Sequence, residues 1–315
     1  MSIQTARDAL TPDSLAMLQA IAESGSFAAA ARSLGLVPSA LTYRVRQIED
    51  ALDVLLFDRS SRQARLTVAG AELMREGQRL LYEIDAVANR VRRVATGWEP
   101  QITLAVDSVV SRATVMDLCE SFYTTSPPTR LKIREEVLSG TLEALLNGQA
   151  DLAIGVGSDG ALMRDIQSLP MGEMRFIFAV APHHPLAQAD EPLSDALLQQ
   201  HRAVAAADSG RRGQITLGLL GGQDVLTVPT MRAKLEAQLR GLGCGFLPES
   251  LARPYVETGR LVERRVQRPD RVVVISYAWR DPGSPLGQGR ALQWWLQQLE
   301  SPKTRAALLN AQQHN

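Results

Sequence analysis

In the first hundred residues apolar positions recur three or four apart, the spacing of one face of an α-helix. A first helix is predicted over 12–23, with Thr11 as N-cap, Pro12 early in the helix and Gly25 where it stops. Ser26 then caps the alanine-rich stretch FAAAARSLG, which Gly35 ends. After a short turn a third helix reaches about residue 52, with Leu41, Val45, Ile48 and Leu52 on its buried stripe. Ser39, Tyr43, Arg46 and Asp50 share another face, with Thr42 beside them, and that face is left to water or a partner. From 69 to 96 runs an uninterrupted helical pattern whose apolar positions, Leu73, Leu80, Ile84, Val87, Val91 and Val94, drift close to a heptad seam. A lone helix of that length with one apolar stripe needs a partner, and its own copy in a second subunit supplies one, so a homodimer is expected. Gly97 and Pro100 break the pattern and mark a linker.

Beyond residue 101 strands alternate with helices. ITLAVD, LKIREEV and DLAIGVG read as strands, separated by helical stretches such as GTLEALLNG, which is the rhythm of an α/β fold with a mostly parallel sheet. A second set follows in RFIFAVAP, HRAVAAA, QDVLTVPT, the helix MRAKLEAQLRGLG, CGFLP and RVVVISYAW. Near Trp279 the chain must return to the first lobe, because the last helix needs a surface on which to bury Trp294, Trp295 and Leu296. Two lobes joined by two crossings suggest a hinged sensor. The expected organisation is an N-terminal helical domain over 1–68, a linker and dimerisation helix over 69–98, and a two-lobed α/β domain over 101–301. Lobe 1 covers about 101–175 and 278–301, lobe 2 about 176–277, and 302–315 is expected to be a flexible tail.

Composition changes this picture little. The 315 residues are 45% hydrophobic and 22% charged, ordinary for globular domains, and the formal net charge is +0, so contact with nucleic acid has to come from a local patch. Cys119 and Cys244 lie far apart without metal-ligand spacing and without a histidine cluster, so neither a metal site nor a disulfide framework is expected. The N-terminus lacks the apolar core of a signal peptide and no run approaches the roughly 18 apolar residues of a membrane span, so a cytoplasmic protein with no membrane partner is expected. No GxSxG, HExxH, P-loop or GxGxxG is present, His183 and His184 sit in a proline-flanked loop, and no enzymatic activity or cofactor is expected.

Candidate chemistry falls in two places. Two short helices joined by a Gly-containing turn, the second with a polar outer face, fit a helix-turn-helix and equally a plain αα-hairpin in a bundle. The segment LLFDRSSRQARLTVAG shifts the balance: it runs from Leu55, Leu56 and Phe57 through a polar turn into a short hairpin flanked by Arg59, Arg62 and Arg65. Such arginines hold phosphates when they lie beside a recognition helix, or form a solvated basic loop when they do not. In the α/β part, ligands bind outside the carboxyl ends of strands. Ser108 and Ser111 follow the first strand, Ser139 follows the second with Gly140 and Thr141, Asp208 and Ser209 end HRAVAAA, and Thr230 follows QDVLTVP. Each is a candidate effector contact, and each equally a plain N-cap.

The stretch SFAAAARSLGLVPSALTYRVRQIEDALDVLLFDRSSRQARLTVAG resembles the winged helix-turn-helix of LysR-type transcriptional regulators, and APHHPLA and GLGCGFLP are similar to parts of that family's sensor domain. The resemblance implies a bacterial regulator with an N-terminal winged helix-turn-helix, a long linker helix and a C-terminal two-lobed periplasmic-binding-protein-like (type 2) effector domain. It implies double-stranded promoter DNA as partner, a homodimer that assembles further into a homotetramer, and a small organic effector between the lobes. Pro38, Ser39, Thr42, Tyr43 and Arg46 would enter the major groove, Arg59, Arg62 and Arg65 would form the wing, and Ser108, Ser139, Asp208 and Thr230 would lie near the effector cleft. Two positions depart from the family pattern: Val37, Pro38 and Ser39 stand where Ser-Gln-Pro is common, and Tyr43 stands where a basic or amide residue is frequent. Arg112, Arg211 and Arg212 near the proposed rim favour a carboxylate effector slightly over a neutral aromatic one. A solute-binding module, or an enzyme using the same cleft, are the competing readings.

Overall fold

Caps define the N-terminal helices. The computed structural model describes residues 5–58, 64–125, 127–157, 165–210, 218–280 and 288–310, which fall into two compact units, Met1–Ala88 and Asn89–Asn315. A short helix not foreseen in the sequence, α1 (Ala6–Ala9), starts on a capping box between Thr5 and Asp8. Thr11 caps α2 (Pro12–Ser24) by accepting from the Ser14 N–H at 3.2 Å, and Gly25 ends it at φ 63°. Ser26 caps α3 (Phe27–Ser33), and α4 (Pro38–Leu52) follows with Pro38 in its first turn and no side-chain cap at Val37. Leu18, Ile21, Ala30, Ala31, Leu41, Val45 and Ile48 interlock as one core, closed by Leu56 and Phe57. Phe57 begins β1 (Phe57–Asp58), which pairs antiparallel with β2 (Arg65–Leu66). The long helix α5 (Val68–Thr96) follows, and Leu80, Ile84, Val87, Val91 and Val94 along it are 49% to 65% exposed, an apolar stripe open to solvent.

The second unit is built on a single seven-stranded sheet. In lobe 1, β3 (Gln101–Asp107), α6 (Arg112–Thr124), β4 (Arg130–Glu136), α7 (Ser139–Leu146) and β5 (Leu152–Gly157) form the expected parallel β/α repeats, with β3 central between β4 and β5. Strand β6 (Ile166–Val180) leads into lobe 2, which contains α8 (Asp195–Leu198), β7 (Ala203–Ala206), β8 (Val225–Val228), α9 (Met231–Leu239), β9 (Gly245–Pro248), α10 (Glu249–Glu257) and β10 (Val262–Arg264). Strand β11 (Arg271–Arg280) returns the chain to lobe 1, pairing with β6 along its whole length and with β5 from Ile275 to Trp279. The sheet order is β10-β6-β11-β5-β3-β4, with β9 also on β6, while β7 and β8 pair in parallel apart from it. The sheet is therefore mixed: β4, β3 and β5 are parallel, as expected, whereas β11 runs antiparallel to β5 and everything that touches β6 is antiparallel. Strand β6 starts nine residues before RFIFAVAP, in IQSLPMGEM, where Pro170 and Gly172 obscure the pattern; the pairing shifts register there, opposite Ile275 and Ser276.

Helix α11 (Arg290–Glu300) buries Trp295 completely in the lobe 1 core, together with Leu292, Leu296 and Leu299. Residues 302–309, expected to be part of a flexible tail, instead form α12 (Pro302–Leu309). Ser301 caps it, Pro302 occupies its first turn, and Leu308, with no exposed surface, joins the lobe 1 core. The Ser111 N–H donates to the Leu308 carbonyl at 2.8 Å and the Thr114 hydroxyl to that of Ala307 at 3.1 Å, so the helix is tied down at both backbone and side chain. The local pattern does not mark this helix, because only Leu308 and Leu309 at its end reach the core and the rest of the attachment is hydrogen bonding. Truncating the first of these in Leu308→Ala should cost about 2–5 kcal/mol in denaturant unfolding of the second unit, and a loss under 0.5 kcal/mol would show that α12 contributes nothing to the core.

Candidate functional site

On α4 the apolar stripe of Leu41, Val45 and Ile48 is buried, and Pro38, Ser39, Thr42, Tyr43 and Arg46 are all exposed. Tyr43 is 63% exposed, its hydroxyl accepting from Gln47 Nε2 at 3.3 Å, and the Thr42 hydroxyl donates to the Pro38 carbonyl at 2.9 Å. Arg65 is exposed on β2; Arg59 and Arg62 lie outside the described residues. Sequence reasoning missed the group that locks this face to the wing. Glu49 points inward on α4, 4% exposed, and its carboxylate accepts from the Leu56 N–H at 2.8 Å and the Phe57 N–H at 3.4 Å. The far side of the wing is fixed by Thr67, whose hydroxyl donates to the Leu55 carbonyl at 2.6 Å and accepts from the Gly70 N–H at 3.0 Å. Gly70 is there for space: a Cβ on it would lie 2.1 Å from the Leu56 carbonyl oxygen. The signal was in IE and LTVAG, a charged residue on an apolar stripe and a glycine inside a helix.

In the second unit four of the five proposed effector residues converge where the lobes meet. Ser139, the first residue of α7, donates to the Asp208 carboxylate at 2.7–2.8 Å, across from lobe 1 to lobe 2. Ser209 donates to Glu136 at 2.7 Å and accepts from the Val137 N–H at 2.9 Å. The Met231 N–H at the start of α9 donates to the Ser108 hydroxyl at 3.4 Å, and Thr230 caps that helix by accepting from the Ala233 N–H at 3.1 Å. Ser111 is not part of this cluster: it is 4% exposed, caps α6 through the Thr114 N–H, and its own N–H is bonded to α12. Two glycines allow the close approach. A Cβ on Gly140 would sit 1.9 Å from the Ser209 hydroxyl oxygen, and one on Gly210 would sit 2.0 Å from that of Ser139. Arg112 is exposed, and Arg211 and Arg212 lie outside the described residues.

Beneath this contact lies a carboxylate that sequence reasoning passed over. Asp107, the last residue of β3, accepts from the N–H groups of Val109 at 3.0 Å and Leu138 at 2.9 Å and from the Thr141 hydroxyl at 3.1 Å. Burial pushes its carboxyl up to about 7; the three donors act in the opposite sense, and the nearby charge of Asp208 adds to the rise. Among the described residues no group of histidine, cysteine and acidic side chains is arranged to hold a metal ion.

The chain matches two family models, the bacterial regulatory helix-turn-helix protein of the lysR family over residues 12–71 and the LysR substrate binding domain over residues 95–301. It is 34% identical over 284 residues to the HTH-type transcriptional regulator YeeY of Escherichia coli (strain K12), covering 90% of this chain and 91% of that protein. It is 33% identical over 255 residues to the HTH-type transcriptional activator AllS of Klebsiella pneumoniae, covering 80% of this chain and 94% of that one. Its fold is similar to full-length CbnR crystallised with its target DNA, at TM-score 0.59 and 19% identity over 93% of this chain and 99% of that chain. A two-unit chain with a winged helix-turn-helix in front of a hinged α/β sensor is a ligand-responsive transcription factor. The chain belongs to the LysR family of DNA-binding transcriptional regulators, with an effector-binding C-terminal domain. No helix among the described residues is long and apolar enough to cross a membrane.

Two predictions test these sites. Glu49→Ala leaves two buried N–H groups without an acceptor, so the helix-turn-helix unit should lose about 1–3 kcal/mol of stability, read as an earlier unfolding transition while the second unit melts unchanged. Asp107 holds its proton more tightly folded than unfolded, so the stability it adds is complete below pH 4 and is lost as pH rises through about 7. The melting temperature of the second unit should therefore fall between pH 5 and pH 8, with a shallower slope in Asp107→Asn; equal slopes would show that Asp107 does not titrate there.

Proposed function

We propose that this regulator reads the major groove with the outer face of α4 and answers to a small organic effector held between the lobes of its second unit. The observation that carries the first half is the division of α4 into a buried apolar stripe and a fully exposed face of Pro38, Ser39, Thr42, Tyr43 and Arg46. Arg46 is the base-reading residue, since a guanidinium bonds guanine O6 and N7 bidentately; Tyr43 packs on a sugar or a thymine methyl. Arg65, with Arg59 and Arg62, holds phosphates and sets the register of the helix. The exposed seam on α5 supports assembly into a homodimer, and two dimers into a tetramer. Ser108, Ser139 and Asp208 sit where an effector would exchange their cross-lobe bonds for bonds to itself, Thr230 offers its hydroxyl beside them as the cap of α9, and Ser111 supports that wall as a cap. The work is binding without catalysis, in the cytoplasm, where the chromosome is.

Fragments of the source genome selected by the purified protein should contain a discrete site of dyad symmetry, with affinity falling steeply as salt rises. On the best fragment, Arg46→Ala should lose roughly 1–3 kcal/mol of discrimination at one position of each half-site, whereas Arg62→Ala should weaken all sequences alike. Unchanged affinity and preference in Arg46→Ala would remove α4 from the groove.

A further inference from the structure

The N-terminus of α11 is capped by a distant part of the chain. Gly289 stands at its N-cap position in an extended conformation, φ −76° and ψ 165°, and brings no side chain to the first turn. The acceptors come instead from the turn that ends α5. There the Arg290 N–H donates to the Gly97 carbonyl at 3.0 Å and the Ala291 N–H to the Glu99 carboxylate, also at 3.0 Å. Glu99 approaches so closely that a Cβ on Gly289 would lie 2.5 Å from one of its carboxylate oxygens. The negative charge it brings is also favoured at that end of a helix by the helix dipole.

Both partners in this cap are firmly held. On the linker side Gly97 turns the chain at φ 75°, Trp98 packs against the lobe 1 core, and the Arg290 guanidinium lies 6.0 Å from the centre of its ring. The Glu99 carbonyl accepts from the Thr129 hydroxyl at 2.6 Å and the Pro100 carbonyl from the Arg130 N–H at 2.9 Å. On the sensor side α11 shares one core with Ile275 and Tyr277 of β11 and Met171 and Met174 of β6, the two strands that cross between the lobes. Any bend of that strand pair therefore meets α11, and α11 cannot shift or rotate without moving the Gly97 and Glu99 acceptors or losing them. Three residues before Glu99 the chain is α5, the helix that leads back to the DNA-binding unit.

We propose that Glu99 is the coupling residue between the sensor and the linker helix: by capping α11 from the turn that ends α5, its carboxylate ties the course of α5 to a helix packed on the two crossing strands. The proposal rests on the reading that the second unit modulates DNA binding by the first, and it names the residue through which that happens. Capping and coupling are separable here. An aspartate at position 289 has the backbone conformation of an N-cap and would serve α11 from its own segment, but only where Glu99 has been cut back to make room. Such a chain keeps a capped α11 and loses the carboxylate tie to α5.

Linkage frees the test from any effector, because a sensor that alters DNA binding is itself altered by bound DNA. Deuterium uptake of the purified full chain is followed with and without the best selected fragment, alongside the melting midpoint of the second unit. In the wild type the fragment should change the exchange rate of peptides from α11 by at least about twofold. Glu99→Ala removes the cap and should lower the midpoint by about 2–4 °C. The double variant Glu99→Ala/Gly289→Asp should recover the midpoint and bind the fragment within about twofold of wild type, yet lose roughly half or more of the DNA-dependent change in α11. Glu99→Gln keeps an acceptor oxygen and should retain both the midpoint and the response. A full DNA-dependent change in the double variant, or none in a wild type that has bound the fragment, would overturn the coupling and leave the regulator reading intact. A wild type that selects no fragment at all would overturn both.

Discussion

The pairing of β6 with β11 is the constraint on which the sensor unit depends. These two strands run antiparallel for ten register pairs, from Arg271 with Phe176 to Arg280 with Ile166. One half of the ladder lies in the lobe 1 core through Tyr277, Ile275, Met171 and Met174, and the other supports lobe 2 through β9 and β10. Because both crossings belong to one ladder, the lobes cannot separate by loss of a loop contact; they can only bend about a shared strand pair. The register shift at Ile275 and Ser276 falls in the middle of that pair, and a bulge is where a ladder bends and twists most easily.

What the lobes do to each other then follows from short polar contacts. Ser139 with Asp208, Ser209 with Glu136 and Ser108 with the start of α9 are hydrogen bonds each worth about 1 kcal/mol net, and the first two exist only because Gly140 and Gly210 carry no side chain to hold the backbones apart. Bonds of that size are exchangeable: a ligand offering equivalent donors and acceptors replaces them without unfolding anything. Asp107 lies just below, satisfied by three donors from the loop after β3 and from the start of α7. It holds Leu138 in the left-handed region, at φ 55°, and so fixes the direction from which α7 presents Ser139.

Much of this was legible before any coordinates. Helix caps, the glycine at 25, the buried stripe of α4 and the β/α rhythm of lobe 1 follow from local rules, and local rules read well from one chain. Four of the effector candidates lie at the contact between the lobes for the same reason, as hydroxyl and acidic residues at strand ends or helix starts. The failures have one cause, which is tertiary. Ser111 looks like Ser108 in sequence and differs only because α12 packs over it. Glu49 and Asp107 are charged residues whose partners are backbone N–H groups seven and thirty-one positions away, and nothing in the side-chain pattern announces a backbone donor. Lys234 sits on the buried side of a helix with almost no amphipathic signal, so its depth could not be anticipated.

Charge explains why recognition at both ends of this chain has to be local. With a formal net charge of +0 the chain creates no overall field to draw in DNA, so attraction must come from arginines gathered at the wing and on α4. The same arithmetic applies inside the sensor. Arg264 with Glu191, Arg134 with Glu136, and Arg253 with Glu249 and Glu263 pair off locally, so an effector meets individual groups at the contact between the lobes rather than a net field.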